Sequence, residues 1–166
     1  MNKSDLLLLL DYTTWANRKL FAAAAHLSPE QFIAPFPCTY GSLRAILVHM
    51  LVAYQVWLSR CQTGRLPASL PEHAEIPDLP TFIARFEDEQ AAMRAYIGSL
   101  FEQDLIRPIA YSTSKGVDYT NTLWTILVHL VNHTTQHRSE AAELLTSLGC
   151  SPGDMDLIWY LRETGR

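Results

Sequence analysis

Residues 121–148 carry apolar side chains at a spacing that suits only one kind of element. Taken at roughly 100° per residue, with Leu123 as origin, Ile126, Leu127, Leu130, Ala141, Leu144, Leu145 and Leu148 fall within about 60° of one direction. That is the buried stripe of a long α-helix; a strand would bury alternate residues. A second such stripe runs through Leu43, Ile46, Leu47, Met50, Tyr54 and Trp57. Amphipathic helices of this length bury their stripes against one another, so the chain is constrained towards a helical bundle.

The remaining punctuation supplies the other elements. The first helix is expected from about Lys3 to His26, with Ser4 as its N-cap and Ser28-Pro29 beyond its end. A loop with Pro35 and Pro37 leads to the second, about Ser42 to Thr63, flanked by Gly41 and Gly64. Four prolines between residues 65 and 80 make that stretch a connection. The third helix is expected from about Pro80 to Gln103, with proline at its first position. The segment IRPIAYSTSKGVDYT alternates loosely around Lys115-Gly116, the pattern of a short hairpin. The fourth helix is expected from about Asn121 to Leu148, closed by Gly149, and a short last one from Asp154 through Leu161. The expectation is an all-α fold: one domain over residues 1–166, a four-helix bundle with long connections, a small hairpin before the fourth helix and a short C-terminal helix. Two long connections leave room for a topology other than up-down-up-down.

At 166 residues the chain can bury a sizeable core, and 48% apolar content is ordinary for a globular protein. A net charge of −4 with no basic run argues against a nucleic-acid partner. The longest apolar run near the start, Leu6–Leu10, lies between Asp5 and Asp11 and is too short for a membrane span or a signal peptide. Cys38, Cys61 and Cys150 are odd in number and form no CxxC, so they suit a reducing cytoplasm and not a disulfide framework.

Chemistry enters with His129, His133 and His137, spaced four apart in LVHLVNHTTQHRSE. Helical spacing places them on successive turns of one side. His137 falls inside the apolar stripe, His133 at its edge and His129 further round, so His133 and His137 are the inward pair and His129 a flanking group. His49 lies on the flank of the second helix's stripe, in RAILVHMLVAYQVW. Side-by-side packing of the second and fourth helices would bring His49, His133 and His137 together. Burial disfavours imidazolium, which leaves neutral rings free to bind a metal. Three imidazoles with an open position are the ligand set of a catalytic site, and they suit zinc, nickel, copper and iron alike. Glu140, three residues after His137, is a carboxylate that could orient a ligand, bind weakly or act as a base, or equally be a solvated helix-edge side chain.

Other metal and nucleotide chemistries are absent from the sequence. Thr134 follows His133 and Leu130 follows His129, so no HExxH is present. No Glu-x-x-His occurs, which excludes the carboxylate-bridged di-iron pattern. There is no P-loop, GxGxxG or GxSxG. His26 and His73 fall at a helix end and in a proline-rich loop and are assigned to solvent.

Taken together these residues resemble the DinB/YfiT-like family of metal-binding four-helix bundles. Tyr12-x-x-Trp15-Ala16-Asn17 is similar to the family's Y-x-x-W-A-N pattern, His49 is followed eight residues later by Trp57, and His133-Thr134-Thr135-Gln136-His137-Arg138 resembles its H-x-x-x-H-R-G-Q segment. The ending Gly149-x-x-Pro152 and Asp156-x-x-x-Tyr160-Leu161 is similar too. Ser139-Glu140 departs from the family's Gly-Gln. The resemblance implies a divalent metal, zinc or nickel first and iron next, on His49, His133 and His137 at one end of the bundle. It also implies a small-molecule substrate, often a homodimer, and relatives that include low-molecular-weight thiol S-transferases and a thiol-dependent maleylpyruvate isomerase. A cleft with Tyr12, Trp15, Trp57 and Trp124 among its walls would suit such chemistry, although each of these aromatics serves equally as core. The expected function is a metal-dependent thiol transferase or hydrolase. The alternatives are a non-catalytic metal-binding stress-response protein and a metal-free helical interaction protein with core histidines.

Overall fold

The computed structural model describes residues 1–113 and 115–166. Four long helices dominate it: α1 (Lys3–Ala24), α3 (Leu43–Thr63), α4 (Leu79–Ser99) and α5 (Leu123–Ser147). A short α2 (Pro29–Ile33) precedes α3, a hairpin of β1 (Pro108–Ser112) and β2 (Asp118–Thr122) precedes α5, and α6 (Leu157–Thr164) closes the chain. α1 packs beside α4 and α5, and α3 beside the same two helices. The first two long helices therefore stand diagonally opposite, and so do the last two. An up-down-up-down bundle would make consecutive helices neighbours throughout. The long connections at residues 25–42 and 100–122 allow the crossing.

Local capping sets the helix starts. Asn2, not Ser4, caps α1: its side chain accepts the Asp5 backbone N–H, and the Asp5 carboxylate accepts the Asn2 N–H, both at 2.9 Å. Ser42 caps α3 by accepting from the Ala45 N–H at 3.2 Å. Asp78 caps α4 by accepting from Thr81, which puts Pro80 second and not first in the helix. α4 also ends before Gln103, because Leu100 turns extended and a 3₁₀ turn spans Glu102–Ile106. α2 was not expected, yet Ser28-Pro29-Glu30-Gln31 carries a full capping box, with Pro29 at an N-terminal position.

The hairpin pairs Pro108 with Thr122 and Tyr111 with Tyr119, antiparallel. That pairing claims Asn121 and Thr122, so α5 begins at Leu123 and not at Asn121. Gly64 ends α3 in the left-handed conformation at φ +74°, and a Cβ there would stand 3.0 Å from the Ala110 carbonyl oxygen. The glycine thus lets the hairpin lie against the end of α3. α6 begins at Leu157, three residues after the expected Asp154, and Leu148 lies outside α5 and is exposed.

The core follows the stripes. Leu43, Ile46, Leu47, Met50 and Leu51 of α3 and Leu123 and Leu145 of α5 are wholly buried. On the α4 side Phe82, Phe86, Phe21 and Tyr54 form an aromatic cluster, with Phe21 edge-on to Phe86 at 5.6 Å. Ile76, fully buried, ties the proline-rich connection to this core. Among the described residues no helix is long and apolar enough to cross a membrane.

Candidate metal centre

α3 and α5 pack side by side, and their histidines meet in the seam. His49, His133 and His137 bring one ring nitrogen each to within 4.8 Å of one another. The His49 and His133 Nε2 atoms are 3.1 Å apart. Two nitrogens bound to one tetrahedral zinc at about 2.0–2.1 Å are separated by roughly 3.3 Å, so the observed spacing suits two ligands of a common ion. His137 Nδ1 is 2.9 Å from Glu140 Oε2, which leaves Nε2 as its free nitrogen. Glu140 lies outside the cluster and bonds to one of its members, the arrangement in which a carboxylate fixes a ligand's tautomer. His137 is buried and His49 and His133 half-buried. The donor set fits a divalent transition metal.

The electrostatics suit a metal as well. Burial and then the neighbouring His137, His49 and His129 rings hold His133 down to about 4 from an ordinary 6.5. Burial and His137 lower His49, against an opposing pull from Glu140. His133 is therefore neutral at neutral pH, with a lone pair free, and burial pushes His49 in the same direction. The depressed value in the folded state means that the unfolded chain binds more protons between about pH 4 and 6.5. Metal-free protein is therefore expected to lose thermal stability as pH falls through that window. The slope should shrink in His133→Ala. A Tm profile identical in both proteins would contradict the assignment.

His129 is the exception among the three α5 histidines. It is exposed and outside the cluster, but its ring is 5.6 Å from His133 and 5.1 Å, edge-on, from Trp57. His26 and His73 are exposed, as expected. No cysteine joins the cluster; all three are free thiols, and burial pushes Cys61 up to about 12.

Sequence reasoning missed Tyr40. Its ring stacks on His49 at 4.5 Å and stands edge-on to His137 at 5.2 Å. The loop that carries it is braced by Phe36 N–H to Gly41 O at 2.8 Å, and Gly41 at φ +81° turns the chain into the Ser42 cap. Burial and the Glu140 charge raise the Tyr40 hydroxyl. Its position just before a Gly-Ser helix start was the available signal, but a loop residue has no periodicity to place it.

Of the aromatics expected around the site, Trp57 reaches only its edge, standing against His129. Tyr12 and Trp15 instead pack with Tyr160 between α1 and α6, and Trp124 rests on the main core. Tyr12 and Asn17 have a different task. Arg138, 1% exposed, donates to the Tyr12 hydroxyl at 3.0 Å, to Asn17 Oδ1 at 3.3 Å and to Thr135 Oγ1 at 3.0 Å. One residue of α5 thus clamps α1 while its neighbour His137 faces α3. Hydrogen bonds across the α1–α5 seam oppose rotation of α5 about its own axis.

A four-helix bundle in which two neighbouring helices aim three imidazoles at one point has the form on which metal sites are built in helical bundles. The chain belongs to the DinB family, whose family model matches residues 1–166. It is similar to Protein DinB of Bacillus subtilis (strain 168), 23% identical over 168 residues, covering 94% of each chain. Its fold is similar to that of YfiT from Bacillus subtilis, described as a probable metal-dependent hydrolase with an unusual four-helix bundle topology. That match has a TM-score of 0.64 and 18% identity over 90% of this chain and 89% of YfiT, a likeness of fold. The diagonal placement of consecutive helices agrees with it.

Proposed function

We propose that this protein is a divalent-metal-dependent enzyme acting on a small molecule, with His49, His133 and His137 as the metal ligands and a thiol or water as the nucleophile. The observation that carries the reading is the three-imidazole cluster with Glu140 bonded to His137. Such an ion, when bound, lowers the pKa of water or thiol so that a nucleophile forms at neutral pH. The chain's own groups do the rest. Glu140 accepts the His137 Nδ1 proton and keeps Nε2 turned inward. Tyr40 lies over His49 and limits solvent on that side. The YfiT description as a hydrolase favours water, and the thiol chemistry that the sequence resemblance implies favours a thiol; one assay separates them.

Zinc- or nickel-loaded protein is expected to cleave activated aryl esters faster than metal-free protein, with water or with added low-molecular-weight thiol. His133→Ala should lose that activity, and Glu140→Gln should lose about 10–100-fold. If loaded protein turns over neither esters nor thiol–electrophile pairs above the metal-free control, the enzyme reading falls.

A further inference from the structure

A cleft of about 290 Å³ opens next to His129, one helical turn from His133, lined by Trp57, Tyr111, Asn121, Thr125, Ile126 and His129. Three elements build it: α3 gives Trp57, the hairpin gives Tyr111 and Asn121, and α5 gives the rest. Its walls are aromatic and meet edge to face, Trp57 with Tyr111 at 5.2 Å and Trp57 with His129 at 5.1 Å. The His129 ring is also 5.6 Å from that of His133. One ring is therefore both a wall of the cleft and a neighbour of the metal centre. The volume is at the small end for a ligand pocket, enough for one ring and a substituent.

The polar groups of the cleft have a sign. The Tyr111 hydroxyl donates to Asn121 Oδ1 at 2.8 Å, so the free end of that amide is its donor, Nδ2. The Thr125 hydroxyl donates to the Thr122 carbonyl at 2.7 Å. Against the two aromatic walls lies Arg60, its guanidinium carbon 4.8 Å from the Trp57 ring centre and 4.7 Å from that of Tyr111. Arg60 is 8% exposed; it donates to the Ser112 carbonyl at 2.9 Å, and its buried Nε has no partner. Among the described residues no carboxylate lies within ion-pair distance of it. Two π faces offset part of the cost of burying the cation, and no carboxylate pairs with it; Arg60 touches the aromatic walls without itself lining the cleft. No acidic residue lines the cleft. Flat surfaces suit its walls, and a negative substituent suits its free donor and its field.

We propose that this cleft is the substrate pocket of the metal centre and takes a small planar carboxylate, an aromatic ring or conjugated chain bearing one carboxyl group. The proposal rests on reading the histidine cluster as the catalytic centre. The planar part lies against Trp57 and Tyr111, the carboxylate accepts from Asn121 Nδ2, and the opposite edge faces His129 and the cluster beyond.

The test uses the full chain stripped of metal, so that its result does not depend on the ion. Sodium benzoate and its neutral analogue benzamide are titrated while ¹H–¹⁵N spectra are recorded. The expected result is saturable shifts at the Trp57 indole N–H and the Asn121 side-chain amide, with benzoate bound roughly tenfold more tightly than benzamide. Asn121 is exposed, so Asn121→Asp will fold. It should weaken benzoate by about tenfold or more and change benzamide by less than about twofold. Arg60→Gln should bring the two ligands level. His133→Ala should retain benzoate binding. Equal affinity for the two ligands, or no saturation at Trp57 and Asn121, would overturn the proposal. So would benzoate binding seen only in zinc-loaded protein, which would make the carboxylate a plain metal ligand. Benzoate held at Trp57 in a protein that takes up no metal would leave the cleft standing and remove the catalytic reading instead.

Discussion

Replacing His133 with alanine is expected to take metal content from roughly one ion per chain to less than about a tenth, by mass spectrometry on untagged protein. His133 is the hinge of the cluster: its Nε2 is 3.1 Å from that of His49, and its ring is 4.4 Å from that of His137. Its removal leaves two imidazoles, His49 and His137, one on each helix with ring centres 4.6 Å apart, and two neutral ligands are one short of the three that a catalytic zinc site uses. Metal should also raise the stability of the wild-type protein by mass action, by about 4.1 kcal/mol when free ion is a thousandfold above Kd. In His133→Ala that gain should vanish. His129→Ala is the control. It removes a ring from the same helix that is outside the cluster, and it should keep the metal and the thermal shift. Equal loss in both variants would point to damage to α5 and not to lost ligation. A wild-type protein that takes up no zinc, nickel or iron would remove the metal site altogether.

How far such a site can be read from sequence depends on which force positions each residue. His49, His133 and His137 sit on long helices whose apolar stripes fix their direction, so helical geometry could place them on facing flanks, and the side-by-side packing of α3 and α5 brings them to one seam. Glu140 was placed on the side of His137, three residues on, but its sequence position left open whether it would orient a ligand, bind, act as a base or be solvated. Tyr40 was not placed at all, because it hangs from a loop whose path is set by backbone hydrogen bonds such as Phe36 to Gly41. The cleft was only partly legible for a similar reason: Trp57 and His129 lie on helices, but Tyr111 arrives from a hairpin whose register no helical pattern predicts. Helix ends moved by a few residues wherever a competing partner intervened. Asn2 and Asp5 outbid Ser4 for the start of α1, and β2 took the residues expected to open α5. Arg138 falls at the edge of the α5 stripe, about 60° from Leu123, but a guanidinium counts as polar in any periodicity, so its burial was not read. Its partners Tyr12 and Asn17 lie more than a hundred residues away, on another helix.

Arg138→Ala is expected to destabilise the protein by about 3–5 kcal/mol, measured by urea unfolding with linear extrapolation. Truncation leaves a cavity where one of the largest wholly buried side chains stood. It also deprives Asn17 Oδ1 and the Tyr12 hydroxyl of their shared donor inside the core. Each unsatisfied buried group costs about 1–3 kcal/mol. Arg138→Met keeps most of the volume and removes the charge, so it should fall between alanine and wild type. Stability alone would not distinguish a clamp from ordinary packing, and metal affinity does. If Arg138 sets the rotation of α5, Arg138→Met should weaken zinc binding as well as the fold, because the adjacent His137 turns with the helix. Phe86→Ala offers the comparison: it is wholly buried among the aromatics between α1 and α4, and its loss should also cost about 3–5 kcal/mol. It lies on α4, which carries none of the histidines, and touches α3 at Tyr54, beyond His49 along the helix, so zinc affinity of the folded protein should stay close to wild type. Zinc binding that is unchanged in Arg138→Met, or lost equally in Phe86→Ala, would show that the arginine holds the bundle together without aiming the ligands.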